Sequence, residues 1–374
     1  MTTTTDDARS IPLRWLAAAL LVGLALRAWE AWESSLWLDE LHTLSHASLP
    51  TLAAVREHVA REYHTPLYFM ATHLLGGWEQ GAALRVVPVL SSLLVFVPLI
   101  ALTRAARGST RALALAAWLF ACVPYLVHWS TELRPYAWLM LFSAGAVWAA
   151  FAEDRSRVAR FAVFFACALL GIWTHRFMAF TVFAIGFARL WASTPRMLHL
   201  GWLVLAGSLA VALSWEPISW FLGFAQVATE RRLEYQDGHG GWHLRRALVM
   251  EFAQLPVRLF VPYSGALGSP WSWIAALAWP PFLAIGVCVS MLRLVWRGPV
   301  RSGAAPVARG LTIYAITYFV VVTAASYWTW DRFPLQYYAP IAWLLPLLVA
   351  LGADALETRT LRTIVVTVLG VGAC

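Results

Sequence analysis

Two adjacent carboxylates, Asp39 and Glu40, stand just beyond the first long apolar run, in the segment Leu36-Trp37-Leu38-Asp39-Glu40-Leu41-His42. Charge is costly in such a setting, because apolar and aromatic neighbours replace the water that would solvate it. A membrane chain keeps such a pair where it binds or reacts with something. One carboxylate could take the proton from an attacking hydroxyl or amine, which makes Asp39 and Glu40 the candidate catalytic residues. The plainer alternative is a helix cap or a solvated loop pair, with Trp29, Trp32 and Trp37 forming an interfacial belt.

Four more polar islands recur at the ends of apolar runs: His64-Thr65-Pro66-Leu67-Tyr68, Glu132-Leu133-Arg134-Pro135-Tyr136, His175-Arg176 and Asp331-Arg332-Phe333. Arg134, Arg176 and Arg332 suit a phosphate or diphosphate, since guanidinium presents forked donors and stays charged where the dielectric is low. They could equally anchor lipid head groups or pair with Glu132 and Asp331. Tyr136, Tyr337 and Tyr338 could donate to phosphate or sugar, although interfacial tyrosines are common. His64 and His175 belong to the same set, and His128 lies one turn before Glu132. His42 and His46, spaced i, i+4, are weak candidates for a divalent metal seat; without a third firm ligand, solvated polar residues are the alternative, and no metal site is assigned. His58, His73 and His199 read as background.

The elements that position these residues are membrane helices. The chain is 60% hydrophobic and 13% charged, with mean hydropathy +0.64, which excludes a soluble globular enzyme. Apolar runs near the bilayer-spanning length of about 20 residues predict spans at roughly 11–29, 85–103, 111–128, 135–152, 158–174, 177–192, 198–215, 271–292, 311–328 and 336–352. An eleventh begins near 361 and stops at Cys374, leaving open whether that terminus is native or truncated. The expected fold is therefore an all-α polytopic bundle of about 10–11 transmembrane helices. Residues 1–10 read as a cytoplasmic tail and 11–374 as one transmembrane domain.

Orientation follows from arginine. All 28 basic residues are Arg, so lysine Schiff-base and Walker-type chemistry are excluded. With the N-terminus cytoplasmic, every inward loop carries at least one Arg (Arg104, Arg107 and Arg111; Arg155, Arg157 and Arg160; Arg196; Arg293, Arg297, Arg301 and Arg309; Arg359 and Arg362), as the positive-inside rule requires. All five polar islands then face outward. The net charge of +8 is a topological signal and does not point to nucleic acid. Cys122, Cys167, Cys288 and Cys374 fall within apolar runs and read as small buried hydrophobes.

Two outer loops are long, 30–84 and 216–270. Within the first, residues 65–78 are too short and broken for a span and predict an interfacial helix. A second interfacial helix is expected from about Ser48 as cap, with Pro50 in the first turn and Leu52, Val55 and Val59 on one face. The second loop holds Glu230, Arg231, Arg232, Glu234, Asp237 and the flexible turn Gly238-His239-Gly240-Gly241, which is no phosphate loop because no strand precedes it.

Taken together these segments resemble glycosyltransferase family 39 over residues 11–352. The Asp39-Glu40 pair after the first span, the His64-x-Pro66-Leu67-Tyr68 segment, Ala83-Leu84-Arg85, Glu132-x-Arg134-Pro135-Tyr136-Ala137, Thr174-His175, and Arg332-Phe333 with Tyr337, Tyr338 and Pro340 carry the resemblance. That family includes protein O-mannosyltransferases and lipid A aminoarabinose transferases of the GT-C fold. The resemblance implies an inverting membrane enzyme, placed in the bacterial cytoplasmic (inner) membrane with its site facing outward. It would pass a sugar from a polyprenyl-phosphate carrier to a lipid, polysaccharide or protein acceptor. Asp39 matches the family's catalytic carboxylate and Glu40 its neighbour. His64, Glu132, Arg134, His175 and Arg332 match cavity-lining positions. No cofactor is expected beyond the lipid-linked donor. His64-Thr65-Pro66 departs from the commoner double proline, the soluble C-terminal domain of some members is missing, and no lysine is available for phosphate.

Two other readings stay open at this stage. A transporter or flippase would place ionisable residues at mid-depth in repeated, broken halves, and neither is evident in the sequence. A non-catalytic subunit could bind lipid carriers while retaining the motifs.

Overall fold

Where helices must cross an apolar medium, every backbone amide has to be satisfied within the segment, so the long apolar runs fold as helices. The computed structural model describes residues 13–62, 64–76, 78–152, 156–192, 201–220, 222–223, 305–329 and 338–354. Their regular structure is helical throughout. In chain order these helices are α1 (Leu13–Glu33), α2 (Leu38–Ala47), α3 (Leu52–Arg61) and α4 (Leu67–Leu75), then a 3-10 turn (Trp78–Arg85) that runs on into α5 (Val86–Leu94) and α6 (Phe96–Ala105). Next come α7 (Thr110–Cys122), α8 (Pro124–Thr131), α9 (Tyr136–Phe151), α10 (Arg157–Thr174), α11 (Met178–Ala192) and α12 (Gly201–Leu213). The series ends with α13 (Ala305–Thr329), α14 (Ala339–Ala342) and α15 (Leu345–Asp354).

Among the described residues four helical segments, Arg14–Glu33, Gly81–Ala105, Arg157–Thr174 and Pro306–Ala325, are long and apolar enough to cross a membrane. The bent pair α7–α8 would make a fifth. The expected count of 10–11 spans is thus met only in part: 135–152, 177–192, 198–215 and 336–352 contain shorter apolar helices, and 271–292 lies outside the described residues. α9 is the hub of the packing, apolar around its whole circumference and in contact with α5, α6, α8, α10, α11, α13 and α14.

The expected span 111–128 bends by 54° between α7 and α8. Pro124 has no amide hydrogen for the carbonyl of Phe120, and Val123 before it is forced into extended backbone (φ −60°, ψ 120°). The wholly buried Arg27 of α1 repairs the break. Its guanidinium donates to Phe120 O (3.1 Å) and Ala121 O (3.0 Å), to Ser92 Oγ (3.1 Å) and to Gly23 O (3.1 Å), and lies 5.3 Å from the centre of the Phe120 ring. A proline break in one helix thus finds its donors in a cation from another.

Loop 30–84 contains three short helices, not two. Ser48 is not the expected N-cap; it closes α2, and Thr51 caps α3 by accepting from the Ala54 amide at 3.1 Å. Val55 and Val59 face inward as expected and pack on Phe69 of α4.

The loop is fastened to the bundle by Glu40. Its carboxylate accepts the amide of Trp37 (3.3 Å), capping α2, and the amide of Leu133 (2.7 Å). Arg85 grips it with two donors, Nε to Oε1 at 2.8 Å and Nη2 to Oε2. The same guanidinium donates to the carbonyls of Ala31 (2.9 Å), Ser34 (2.6 Å) and Ser35 (3.0 Å) at the end of α1. Glu40 is 0% and Arg85 3% exposed. Removing one member leaves the other charge buried without its counterion, so Glu40→Gln or Arg85→Ala is expected to cost roughly 3–5 kcal/mol each, while the double variant costs less than the sum. Thermal unfolding in detergent measures all three; strictly additive losses would show that the two side chains do not act as a pair.

Candidate functional site

Adjacent residues on a helix lie about 100° apart, so burying Glu40 turns Asp39 another way. Asp39 is one-third exposed at the first turn of α2, where an anion meets the positive end of the helix. Its backbone carbonyl takes donors from Thr43 Oγ1 (3.2 Å) and Arg134 Nη1 (3.2 Å), which fixes the turn. Arg134 Nη2 stands 3.9 Å from Asp39 Oδ2. Among the described residues no hydrogen bond reaches the Asp39 carboxylate, which leaves both oxygens available to a substrate proton.

Arg134 comes from the link between α8 and α9, which Leu133 ties to Glu40. It is buried, also donates to Thr43 Oγ1 (3.3 Å), and its Nε has no partner among the described residues. Burial opposes its charge, but Tyr136, Asp39 and Glu132 outweigh that and raise its pKa. The Tyr136 side chain is a hydrogen-bond partner of Arg134, and its ring packs 5.0 Å from Trp129 and 6.0 Å from His175.

Glu132 is buried in the same link. Oε1 lies 3.1 Å from His128 Nε2, whose Nδ1 is 3.3 Å from Glu30 Oε1, while Oε2 has no partner among the described residues. Burial raises the pKa of Glu132, against the pull of His128.

His175 and Arg176 sit in the turn between α10 and α11. His175 stacks on Phe177 (5.2 Å, 19°), and Arg176 is buried. Thr65 Oγ1 donates to Thr174 O at 2.6 Å, pinning the first outer loop beside this turn. His64 therefore lies among Arg134, Arg176, His46 and His42, and desolvation followed by these charges pushes its pKa down to about 3. His175 is likewise held well below the ordinary imidazole range, first by burial and then by Arg176, His64 and Arg134. Both imidazoles are neutral near pH 7.

Four of the five polar islands thus meet at one end of the bundle. The fifth, Asp331-Arg332-Phe333, and with it Tyr337, lies outside the described residues, as does the Gly-rich turn at 238–241. Tyr338 packs elsewhere: its hydroxyl is 3.0 Å from Thr323 Oγ1 and its ring 5.3 Å from Phe319, both on α13. The expected catalytic partnership of Asp39 with Glu40 is also corrected, since all the geometry at Glu40 is that of an anchor.

Tyr68 was missed as a site residue although it closes the His64-x-Pro66-Leu67-Tyr68 segment. It is buried, its hydroxyl has no partner among the described residues, and its pKa is raised by burial with Arg134, Glu40 and Glu132 close by. A donor within a conspicuous motif, on a short helix that cannot span a bilayer, was the available signal. His42 is exposed on α2 with its ring 6.2 Å from that of His46, which is buried.

No protein-family model matches the sequence, and no curated protein matches it. Solved structures do. The oligosaccharyltransferase AglB from Archaeoglobus fulgidus, in complex with an inhibitory peptide and a dolichol-phosphate, aligns over 96% of this chain and 54% of its own, with TM-score 0.56 and 15% identity. The same protein tethered to an acceptor peptide containing the NVT sequon aligns over 96% and 53%, again at 0.56 and 15%. The chain spans about half the length of the structures it matches. At this identity the likeness is one of fold alone, and it agrees with four described helical segments that are long and apolar enough to cross a membrane.

Proposed function

We propose that this chain is an inverting membrane glycosyltransferase that moves a sugar from a polyprenyl-phosphate carrier to an acceptor hydroxyl or amine, with Asp39 as general base. The observation that carries this reading is the pairing of an accessible carboxylate, unengaged by any hydrogen bond among the described residues, with the buried guanidinium of Arg134 at 3.9 Å. The GT-C fold supports it, as does the dolichol-phosphate held by the structural neighbour.

In the reaction the acceptor oxygen or nitrogen attacks the anomeric carbon and forms the new glycosidic bond. The carbon–oxygen bond to phosphate breaks, the electron pair leaves with the polyprenyl phosphate, and the acceptor proton passes to Asp39. Arg134 and Arg176 meet the phosphate charge in a site where few waters compete. Neutral His64 and His175 accept or donate hydrogen bonds to sugar hydroxyls without adding charge. Tyr68 and Tyr136 supply further donors. Arg332 and Tyr337 are proposed to complete the donor side. The full set of 10–11 spans, the outward-facing site, the bacterial inner membrane and the resemblance to family 39 belong to the same proposal.

Transfer from a radiolabelled polyprenyl-phosphate sugar, assayed with purified protein in vesicles, tests it. Asp39→Asn keeps the shape but loses the base, and is expected to lower kcat by about 10²–10⁴-fold with donor binding nearly intact. Arg134→Lys, which loses the fork, is expected to weaken donor binding. Equal turnover by wild type and Asp39→Asn would remove Asp39 as base. Carrier-dependent movement across vesicles without a new glycosidic bond would replace the enzyme by a transporter.

The depressed pKa of His175 makes a separate prediction about stability. A folded-state imidazole held below its unfolded value of about 6.5 contributes stability above that pH and loses it as pH falls toward the folded pKa. The groups facing His175 are the charged Arg176 and Arg134 and the titratable His64, and a proton on His175 is disfavoured by burial and by each of them. Wild-type Tm should therefore drop on acidification below about pH 6.5, and His175→Gln should flatten part of that slope. An identical slope in the variant would mean that His175 takes up its proton normally in the folded state.

A further inference from the structure

The last turn of α2 and the end of α3 bring three metal-ligating side chains together, well away from Asp39. His46 is seven residues along α2 from Asp39, about 10 Å at the helical rise. His46 Nε2 lies 2.7 Å from Glu62 Oε2, and His58 Nε2 lies 3.5 Å from Glu62 Oε1. The three ligand atoms all fall within 4.8 Å of one another. Nitrogen and oxygen ligands at about 2.0–2.2 Å from a tetrahedral ion stand roughly 3.3–3.6 Å apart, a separation these atoms reach with small rotations.

Hydrogen bonds hold the His46 ring at both nitrogens. Ser45 Oγ donates to His42 O at 2.9 Å, so it can only accept from His46 Nδ1, 3.3 Å away. With a proton on Nδ1 donated to Ser45 Oγ, the Nε2 atom is the one that faces the Glu62 carboxylate. On that tautomer a cation at Nε2, a proton or a metal ion, joins ring and carboxylate across the 2.7 Å contact. The ring is 2% exposed and packs 5.3 Å from Phe69, so its orientation is fixed in advance, whereas His58 and Glu62 are exposed at 46% and 42% and open a route for an ion. A fixed imidazole whose second nitrogen is hydrogen-bonded is the usual support of a metal-bound histidine.

We infer that His46, His58 and Glu62 form a binding site for a divalent cation of the zinc class, which clamps α2 to α3. Two imidazoles and one carboxylate favour zinc over magnesium or calcium, which prefer all-oxygen shells. Three protein ligands leave a fourth position to water or to a neighbouring histidine; the rings of His42 and His64 are 6.2 and 6.5 Å from that of His46. The site does not depend on the glycosyl-transfer reading.

The test uses the full-length protein in detergent, purified without a histidine tag, stripped with a chelator and dialysed against zinc. About one Zn²⁺ per chain is expected by elemental analysis, and Co²⁺ in its place should give the visible absorption of a low-coordinate site. His58→Ala and Glu62→Gln should each weaken binding roughly 10-fold or more, the metal-free Tm of each variant serving as its own baseline. Glu57→Gln on the same helix should leave affinity unchanged. Zinc should raise the Tm of wild type and not that of the two ligand variants. Failure of wild type to retain zinc, or retention undiminished by both ligand substitutions, would overturn the site.

Discussion

One buried ion pair holds this architecture in register. Glu40 and Arg85 neutralise each other where neither can reach water, and each spends its remaining hydrogen-bonding capacity on backbone. Through them the end of α1, the start of α2, the approach to α5 and the link before α9 meet at one point. A buried pair of this kind is weak evidence for net stability, since desolvation consumes much of the Coulomb energy. What it supplies is specificity. A displacement of α2 by one residue would leave both charges and several backbone groups unsatisfied, so competing arrangements are penalised more than the native one is favoured.

That constraint explains how two neighbouring acids come to differ. Because Glu40 is locked inward, the 100° step of the helix sets the direction of Asp39, and Arg134 is delivered to it by the segment whose Leu133 amide Glu40 also holds. The Asp39–Arg134 pair is thus positioned by the anchored Glu40–Arg85 pair. Arg27 shows the same logic deeper in the bundle, where the carbonyl freed by Pro124 finds its donor on a different helix. Two kinds of buried cation occur among the described residues, one consumed mainly by backbone carbonyls, as Arg27 is, and one that reaches the polar end, as Arg134 does. Only the second kind is suited to meet a phosphate.

The sequence made the second kind visible and hid the first. Polar islands at the ends of apolar runs stand out because charge is scarce there, so Asp39, Glu132, Arg134, His175 and Arg176 could be singled out, and four of the five islands do gather. Helix positions were legible from apolar run length, and the inward face of Val55 and Val59 from their spacing. The roles of Glu40 and Arg85 were not, because pairing across 45 residues leaves no local pattern. The bend at Val123 was readable in principle from Pro124, but a run-length criterion passes over a single proline. Tyr338 shows the opposite error: an aromatic beside a motif pointed to the site, whereas packing against Phe319 and Thr323 turns it into the core.

The His46 cluster sharpens that point. Within α2 alone, His42 and His46 form the conspicuous i, i+4 pair, yet the structure pairs only one of them with a ligand set, and the partners come from the far end of α3. A short helix has too few internal contacts to hold a fixed angle by itself, since packing rather than propensity stabilises it. α2 is pinned at its first turn by Glu40 and at its last by His46, with Asp39 and Thr43 between. Two fixed ends make a ten-residue helix a rigid bracket, and a carboxylate set on such a bracket can be aligned with a reacting carbon more closely than one on a free loop.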